Sequence, residues 1–221
     1  MTPDATLIIL GAGGHGRVVA DIAVQAGWTV VGFVDDNIAP GTPDTLSLPV
    51  LGDRDWFYAS PQNSCRVALG IGDNYTRMVL VKFLKMANIR LATVMSPFAV
   101  VSPFAQIGPG TVIMPGAVVN AGAIIGEGVI INTGAVVEHD TRVGNYAHLS
   151  SNSTLGGGAD VGEFTHIALG ATVLPLIHIG NRTILGAGSV ATRSIPDDVI
   201  AFGIPARIRR DAFTKPRMAL V

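Results

Sequence analysis

Charge is what this 221-residue chain has least of: 14% of its residues are Asp, Glu, Lys or Arg, and the formal net charge is -1. Without a basic stripe nothing can neutralise a phosphate backbone, which excludes DNA and RNA as partners. Cysteine is nearly absent. The single Cys65 has no intramolecular partner, which suits a reducing compartment, and a cytoplasmic protein is expected. Apolar residues make up 48% of the sequence, enough for a buried core. No run of about 18 of them occurs, so no membrane-spanning helix is expected. The apolar start from Thr6 to Leu10 is too short for a signal-peptide core and runs directly into glycines, so no export is expected either.

What the sequence does contain is a repeat. Stepping by six from Val101 to Leu185 gives fifteen aliphatic residues without a miss. Four places after each stands a small or β-branched residue in nearly every case, Ala117, Ala135 and Thr165 among them, and glycine follows the aliphatic in seven of the fifteen. A period of six fits neither a 3.6-residue helix nor a long alternating strand. It fits short strands and corners wound around a three-sided prism, three six-residue sides making one coil. The aliphatic fills the interior and the small residue fits the inner corner.

The spacing leaves handedness open. The pattern resembles the [LIV]-G-x-x-[STAV]-x repeat of hexapeptide acyltransferases, and Gly203-Ile204-Pro205-Ala206-Arg207 resembles the segment that closes their coil. That resemblance covers residues 95 to 209 and implies a left-handed parallel β-helix and a homotrimer.

Ahead of the repeat, a strand from Leu7 to Leu10, a helix from Arg17 to Ala26 and a strand from Thr29 to Val34 read as a βαβ unit. Gly11-Ala12-Gly13-Gly14-His15-Gly16 fits the glycine turn of dinucleotide-binding folds, with Asp35-Asp36 about 20 positions on. Taken alone, that motif predicts an NAD-dependent oxidoreductase. Only about 95 residues precede the repeat, however, enough for one mononucleotide-binding half, so a nucleoside diphosphate sugar fits better. The expected layout is a Rossmann-like α/β domain over 1–95 and the β-helix with a C-terminal tail over 96–221.

Read together, the glycine turn, Asp21, Asp35-Asp36, Gly70-Ile71-Gly72-Asp73-Asn74 and Arg77 resemble the sialic acid O-acetyltransferase family of sugar acyltransferases. Its members include N-acetyltransferases of UDP-4-amino-4,6-dideoxy sugars and of GDP-perosamine. The resemblance implies acetyl transfer from acetyl-CoA, without a metal, to the amino group of a nucleotide-linked 4-amino-4,6-dideoxyhexose. It assigns Gly13, Gly14, His15, Asp35, Asp36, Gly72, Asp73 and Asn74 to the nucleotide-sugar. To acetyl-CoA it assigns His148, Gly157, Leu169, Gly186, Ala187 and Pro205. O-acetylation of a sugar such as sialic acid, and a non-catalytic nucleotide-sugar scaffold, are the rival expectations.

Histidine supplies the base that such a transfer needs, because it titrates near neutral pH. Folding the sequence at three repeats per coil sets Glu138-His139-Asp140 beneath Gly156-Gly157-Gly158 and above Asn120-Ala121-Gly122. Rungs lie about 4.8 Å apart, so a slot with few side chains is expected around His139. Glu138-His139-Asp140 also resembles the family's E-H-[ED] segment, which implies His139 as base, Asp140 as its orienter and the Gly157 amide as an oxyanion donor. His148 and His166, one coil apart, should stack. His166 and His178 read as surface or interface residues, and without suitably spaced cysteine or carboxylate zinc is not expected. Arg207, Arg209 and Arg210 are candidates for the CoA phosphates. His139 and His148 are half a circuit apart and cannot face one cleft of one prism. If both serve one acetyl group, the site must be shared between chains.

Overall fold

A computed structural model describes residues 6–42, 46–59 and 65–209. The chain opens with strand β1 (Thr6–Leu10), helix α1 (Gly14–Gln25) and strand β2 (Thr29–Val34), followed by β3 (Val50–Gly52), α2 (Arg54–Ala59), β4 (Arg66–Leu69) and α3 (Asn74–Met86). The four strands form one parallel sheet in the order β3-β2-β1-β4. β1 is central and its Leu7 and Ile9 are fully buried, as an apolar run flanked on both sides requires. α1 begins three residues earlier than the sequence predicts, because extended Gly13 serves as N-cap and lets Gly14 enter the helix. The glycine turn is fixed by crossing backbones: a Cβ on Gly70 would stand 2.6 Å from both Gly11 O and Gly16 Cα.

From Val94 onward the chain winds as a left-handed parallel β-helix of two-residue strands. Up to Ala191 each strand pairs with the one three further along the chain, as in Val136↔Thr154 and Val137↔Leu155. Three sheets result. Thirteen of the fifteen repeat aliphatics, Ile113 through Leu185, are buried in one continuous core, and Val101 and Ile107 at the open first coil are partly buried against it. The strand Val94–Met95 already pairs with Val112–Ile113, so the coil starts just before the expected boundary at 95/96.

The three faces differ in what they show outward. One carries Gln106, Arg142, Asp160 and His178, and every glycine of the series Gly108, Gly126, Gly144, Gly162 and Gly180 belongs to it; we call it the glycine face. The space beside those glycines is taken by a side-chain ladder along the next corner. Asn145 Oδ1 accepts from Glu127 N at 2.9 Å and its Nδ2 donates to Glu163 Oε1 at 2.7 Å. Asn181 repeats the motif between Glu163 and Asp197. A Cβ on Gly126 would meet Asn145 Oδ1 at 2.6 Å. The second face presents Val100, Val118, Val136, Thr154, Thr172 and Val190, and is the valine face. The third, containing Val112, Ile130, His148 and His166, is covered by the α/β domain.

The two parts are joined at a polar lock within that covered face. Arg77 of α3 is fully buried. Its Nε donates to Gly128 O at 2.6 Å, Nη1 to Ile71 O and Gly72 O, and Nη2 to Asn74 Oδ1, Tyr146 O and Ala147 O. Five guanidinium N–H groups thus meet six oxygens, and none belongs to a carboxylate. Burial lowers the Arg77 pKa to about 10, which still leaves it charged near neutrality. Around the lock, Asn74 Nδ2 donates to Phe164 O, Lys85 pairs with Glu127, and Tyr146 stacks on Phe164 at 5.3 Å.

Replacing Arg77 with Met keeps the volume and strands those carbonyls, so urea denaturation should show a loss of about 3–5 kcal/mol. A loss below about 1 kcal/mol would mean that the seam stands on apolar packing alone.

Candidate functional site

His139 sits on the edge between the valine and glycine faces, in the turn that joins Val136–Val137 to Arg142–Val143. Asp140 adopts the left-handed region with φ 59°, and its Oδ2 lies 2.9 Å from His139 Nδ1. That bond puts the ring proton on Nδ1 and leaves Nε2 as a free acceptor on a side chain that is 65% exposed. The Asp140 hydrogen bond is the largest influence on the imidazole and raises its pKa, with the Asp140 and Glu138 charges adding to it. Glu138 is itself held by Asn120 Nδ2 at 2.9 Å.

The expected empty slot above His139 is corrected by the structure, because the imidazole fills it. A Cβ built on Gly157 would stand 2.6 Å from His139 Nε2 and 2.8 Å from Cε1. Glycine at 157 therefore makes room for the ring. The flanking amides Gly156 N and Gly158 N are bound to Val173 O and His139 O.

His148 lies on the covered face, stacked on His166 with centroids 4.9 Å apart, as their spacing of one coil predicts. Asn132 Oδ1 accepts from Thr133 N, so its Nδ2 faces His148 Nε2 at 3.2 Å and fixes Nδ1 as the protonated nitrogen. Burial, then His166, Arg77 and His15, lower the His148 pKa to about 3 against a backbone bond to Gly72. His166 bonds Ser150 Oγ at 2.7 Å. His15 also reaches this seam: its Nε2 is buried without a hydrogen-bond partner among the described residues, and burial with Arg77 lowers its pKa to about 4. The structure thus brings His15, Gly72 and His148 together and keeps them apart from His139 within one chain. Leu169 and Ala187 occupy the edge between the covered and valine faces, on successive rungs. The sequence-predicted acetyl-CoA residues therefore flank both edges of the valine face. Gly186 has a local reason to be glycine, since the Phe202 ring occupies the place of its Cβ. Pro205 lies in the turn before the closing strand Arg207–Arg209, Arg207 and Arg209 are exposed, and Arg210 falls outside the described residues.

At the front domain the predicted residues divide. Gly13, Gly14 and Gly72 face open space, since a Cβ at any of them would find nothing within 4 Å. Asp35 is committed locally: Oδ2 accepts from Ala12 N and Oδ1 from Asn37 N, both at 2.9 Å, tying the glycine turn to the end of β2. Asp73 caps α3, with Oδ1 accepting from Thr76 N and Oγ1. Asn74 lies in the seam, with Arg77 on its oxygen and Phe164 O on its nitrogen. Asp36 faces a cavity of about 310 Å³ beside the carboxyl ends of β1 and β2, with Arg54, Phe57, Tyr58, Tyr75 and Phe83. This is where open α/β sheets bind ligands. Those five wall residues carried no sequence signal, because α2 and α3 bring them in from outside the glycine motif. Among the described residues no group of three His, Cys, Asp or Glu is placed to hold a metal.

Residues 6–84 match the PglD N-terminal domain, and residues 104–139 and 122–157 match the bacterial transferase hexapeptide repeat. The fold is similar to PerB of Caulobacter crescentus, solved with CoA and GDP-perosamine: identity is 40% over 93% of this chain and 97% of that one, with a TM-score of 0.87. It is similar to the acetyltransferase domain of PglB from Neisseria gonorrhoeae, solved with acetyl coenzyme A, at 33% identity over 93% and 100% of the two chains and a TM-score of 0.87. The galactoside O-acetyltransferase of Lactococcus lactis is 44% identical over 48 residues, 22% of this chain and 23% of that protein. The chain thus spans about a quarter of the length of the curated relatives it matches.

A Gly157→Ala substitution tests the His139 geometry without reference to activity. The new methyl displaces an exposed ring rather than backbone, so the fold should persist while the bond to Asp140 is lost. The His139 titration followed by NMR should then fall toward the ordinary histidine value. An unchanged titration would show that the ring does not rest against Gly157.

Proposed function

The chain belongs to the sialic acid O-acetyltransferase family of hexapeptide-repeat sugar acyltransferases, and on that premise we propose that it N-acetylates the 4-amino group of a nucleotide-linked 4-amino-4,6-dideoxyhexose with acetyl-CoA. The observation that carries this reading is His139, held by Asp140 through Nδ1 on a side chain that is 65% exposed at an edge of the prism, with Nε2 beside Gly157. Nε2 takes the proton as the amine nitrogen attacks the thioester carbon. The Gly157 amide lies beside the ring, suitably placed to donate to the developing oxyanion. Collapse of the tetrahedral adduct breaks the C–S bond, CoA leaves as the thiolate, and the acetamide remains. His148, neutral throughout the working range, suits a contact to the acetyl group and not a second base.

We place this site between subunits of a homotrimer in the cytoplasm. His139 and Gly157 stand on one edge of the valine face, and Leu169 and Ala187 on the other, with His148 around the corner. No one chain brings them together. If the valine faces of three chains meet about a threefold axis, one edge of each chain lies against the other edge of the next. The outward row Val100, Val118, Val136, Thr154, Thr172 and Val190 supports that packing, since it lacks any charge.

His139→Ala should lower turnover at least about a hundredfold, with acetyl-CoA affinity nearly unchanged. For the wild type, kcat/KM should rise with pH through the raised His139 pKa, because only the neutral ring accepts a proton. In Asp140→Asn that rise should move to lower pH. Wild-type turnover in His139→Ala would remove the base assignment.

Mixing inactive His139→Ala chains with inactive His148→Ala chains should restore part of the activity after subunit exchange, because some clefts then hold both histidines. No recovery, or a monomer mass by light scattering, would exclude the shared site.

A further inference from the structure

The corner that carries His139 has a glycine corner on the coil before it and another on the coil after, and the acetyl transfer proposed above makes use of only the second. Asp140 takes φ 59° in this corner, and its side chain leans back onto the corner one coil earlier. A Cβ built on Gly122 would stand 2.5 Å from Asp140 Oδ1 and 3.4 Å from its Cγ. The arrangement recurs wherever a left-handed corner with a side chain follows a glycine corner by one coil: Asn152 leans over Gly134, Tyr146 over Gly128 and Leu176 over Gly158. The backbone around His139 is held from both sides, since Asp140 N donates to Ala121 O at 3.1 Å and Gly158 N donates to His139 O at 2.9 Å. With the main chain held, the place of the carboxylate depends on the space over Gly122. Oδ1 fills that space, and the rigid group brings Oδ2 to 2.9 Å from His139 Nδ1.

On the premise that His139 is the base, we propose that Gly122 is its positioning residue: by leaving Asp140 Oδ1 room on the coil beneath, it sets Oδ2 against Nδ1 and so decides which nitrogen of the imidazole is free. Ordinary contact distance lies about 1 Å beyond the 2.5 Å available there. A methyl group at 122 therefore drives the carboxylate outward, and a bond of 2.9 Å does not survive a displacement of that size in its acceptor. A histidine ring without such a partner favours the proton on Nε2, the nitrogen that has to accept from the amine. The bond at Nδ1 selects the other tautomer. Asp140 and Glu138 are the charged groups that act on His139, and only Asp140 touches Gly122.

Nitrogen NMR of the full chain reads the tautomer without substrate. In the wild type, above the His139 titration, the proton should sit on Nδ1. In Gly122→Ala it should move largely to Nε2. Gly122→Asn carries the same Cβ and suits a positive φ, so it should do the same with less strain on the fold. In both variants kcat should fall about ten- to a hundredfold, with KM for both substrates nearly unchanged. The rise of kcat/KM with pH should move to lower pH, because the bond that favours the protonated ring is lost. Gly134→Ala imposes the same backbone strain beneath Asn152 and should leave the His139 tautomer as it is. In an Asp140→Ala background, Gly122→Ala should change nothing further at His139, since the oxygen it displaces is gone. A wild-type proton on Nε2, a proton retained on Nδ1 in either folded Gly122 variant, or an equal effect of Gly134→Ala overturns the positioning role. Full turnover in His139→Ala removes the base assignment alone and leaves the tautomer result standing, so the two readings fail separately. The wild-type tautomer is read on the unaltered protein, so a variant that fails to fold does not decide the outcome.

Discussion

A single buried cation holds the two halves of this protein in register. Arg77 bonds no carboxylate among the described residues, Asp73 acting on it only through its charge, and its own charge is spread over six oxygens drawn from Ile71 and Gly72, α3 and two corners of the β-helix. A guanidinium buried this way is costly unless every N–H is satisfied, and only one relative placement of the two parts satisfies them all. The neighbouring residues inherit that placement. Ile71 and Tyr75 face the cavity of the front domain, while Gly72 and Ala147 lie against His148. The segment from Ile71 to Tyr75 thus borders the front-domain cavity at its ends and the covered-face histidines at Gly72.

The field of Arg77 sorts the histidines by environment. His15 and His148 lie in the seam, where burial and the Arg77 charge both disfavour protonation, and they remain neutral. His139 stands in solvent with a carboxylate on its Nδ1, and its protonated form is favoured instead. One residue type thus supplies a titrating proton acceptor at one edge of the prism and a fixed, uncharged hydrogen-bonding group on another face. A base needs the first and a contact to a thioester carbonyl needs the second.

The β-helix contributes precision through its turns. From Gly110 to Gly188 one residue in each corner adopts a positive φ, glycine in eight of the fourteen, with Asp140, Tyr146 and Phe164 among the rest. Such conformations cost energy in residues with a side chain and persist where surrounding contacts over-determine them. Tyr146 and Phe164 are held by each other and by the front domain, and Asp140 by its place at His139. The ladder of Asn145, Glu163 and Asn181 stiffens the remaining edge and alternates amide with carboxylate, so that like charges do not stack on successive rungs.

The sequence by itself determined the prism. Its contacts recur once per coil, so a period read along the chain is a contact read in space, and the interior aliphatics, the His148–His166 stack and the Gly157–His139 neighbourhood all followed from counting. The adjacency of His139 and Asp140 needed no folding to be seen, and the glycine turn announced the first βαβ unit. Counting failed at one point: it predicted an empty slot where side-chain direction, not spacing, put the imidazole. Nor could it show that Asp35 is bound by backbone amides, that Asp73 caps α3 and that Asn74 joins the seam. The remainder was decided by tertiary structure alone: the Arg77 lock joins residues 51 to 70 positions apart, and the Asn74–Phe164 bond spans 90. No period relates such positions, because they belong to two different architectures whose docking is fixed by satisfying one buried charge.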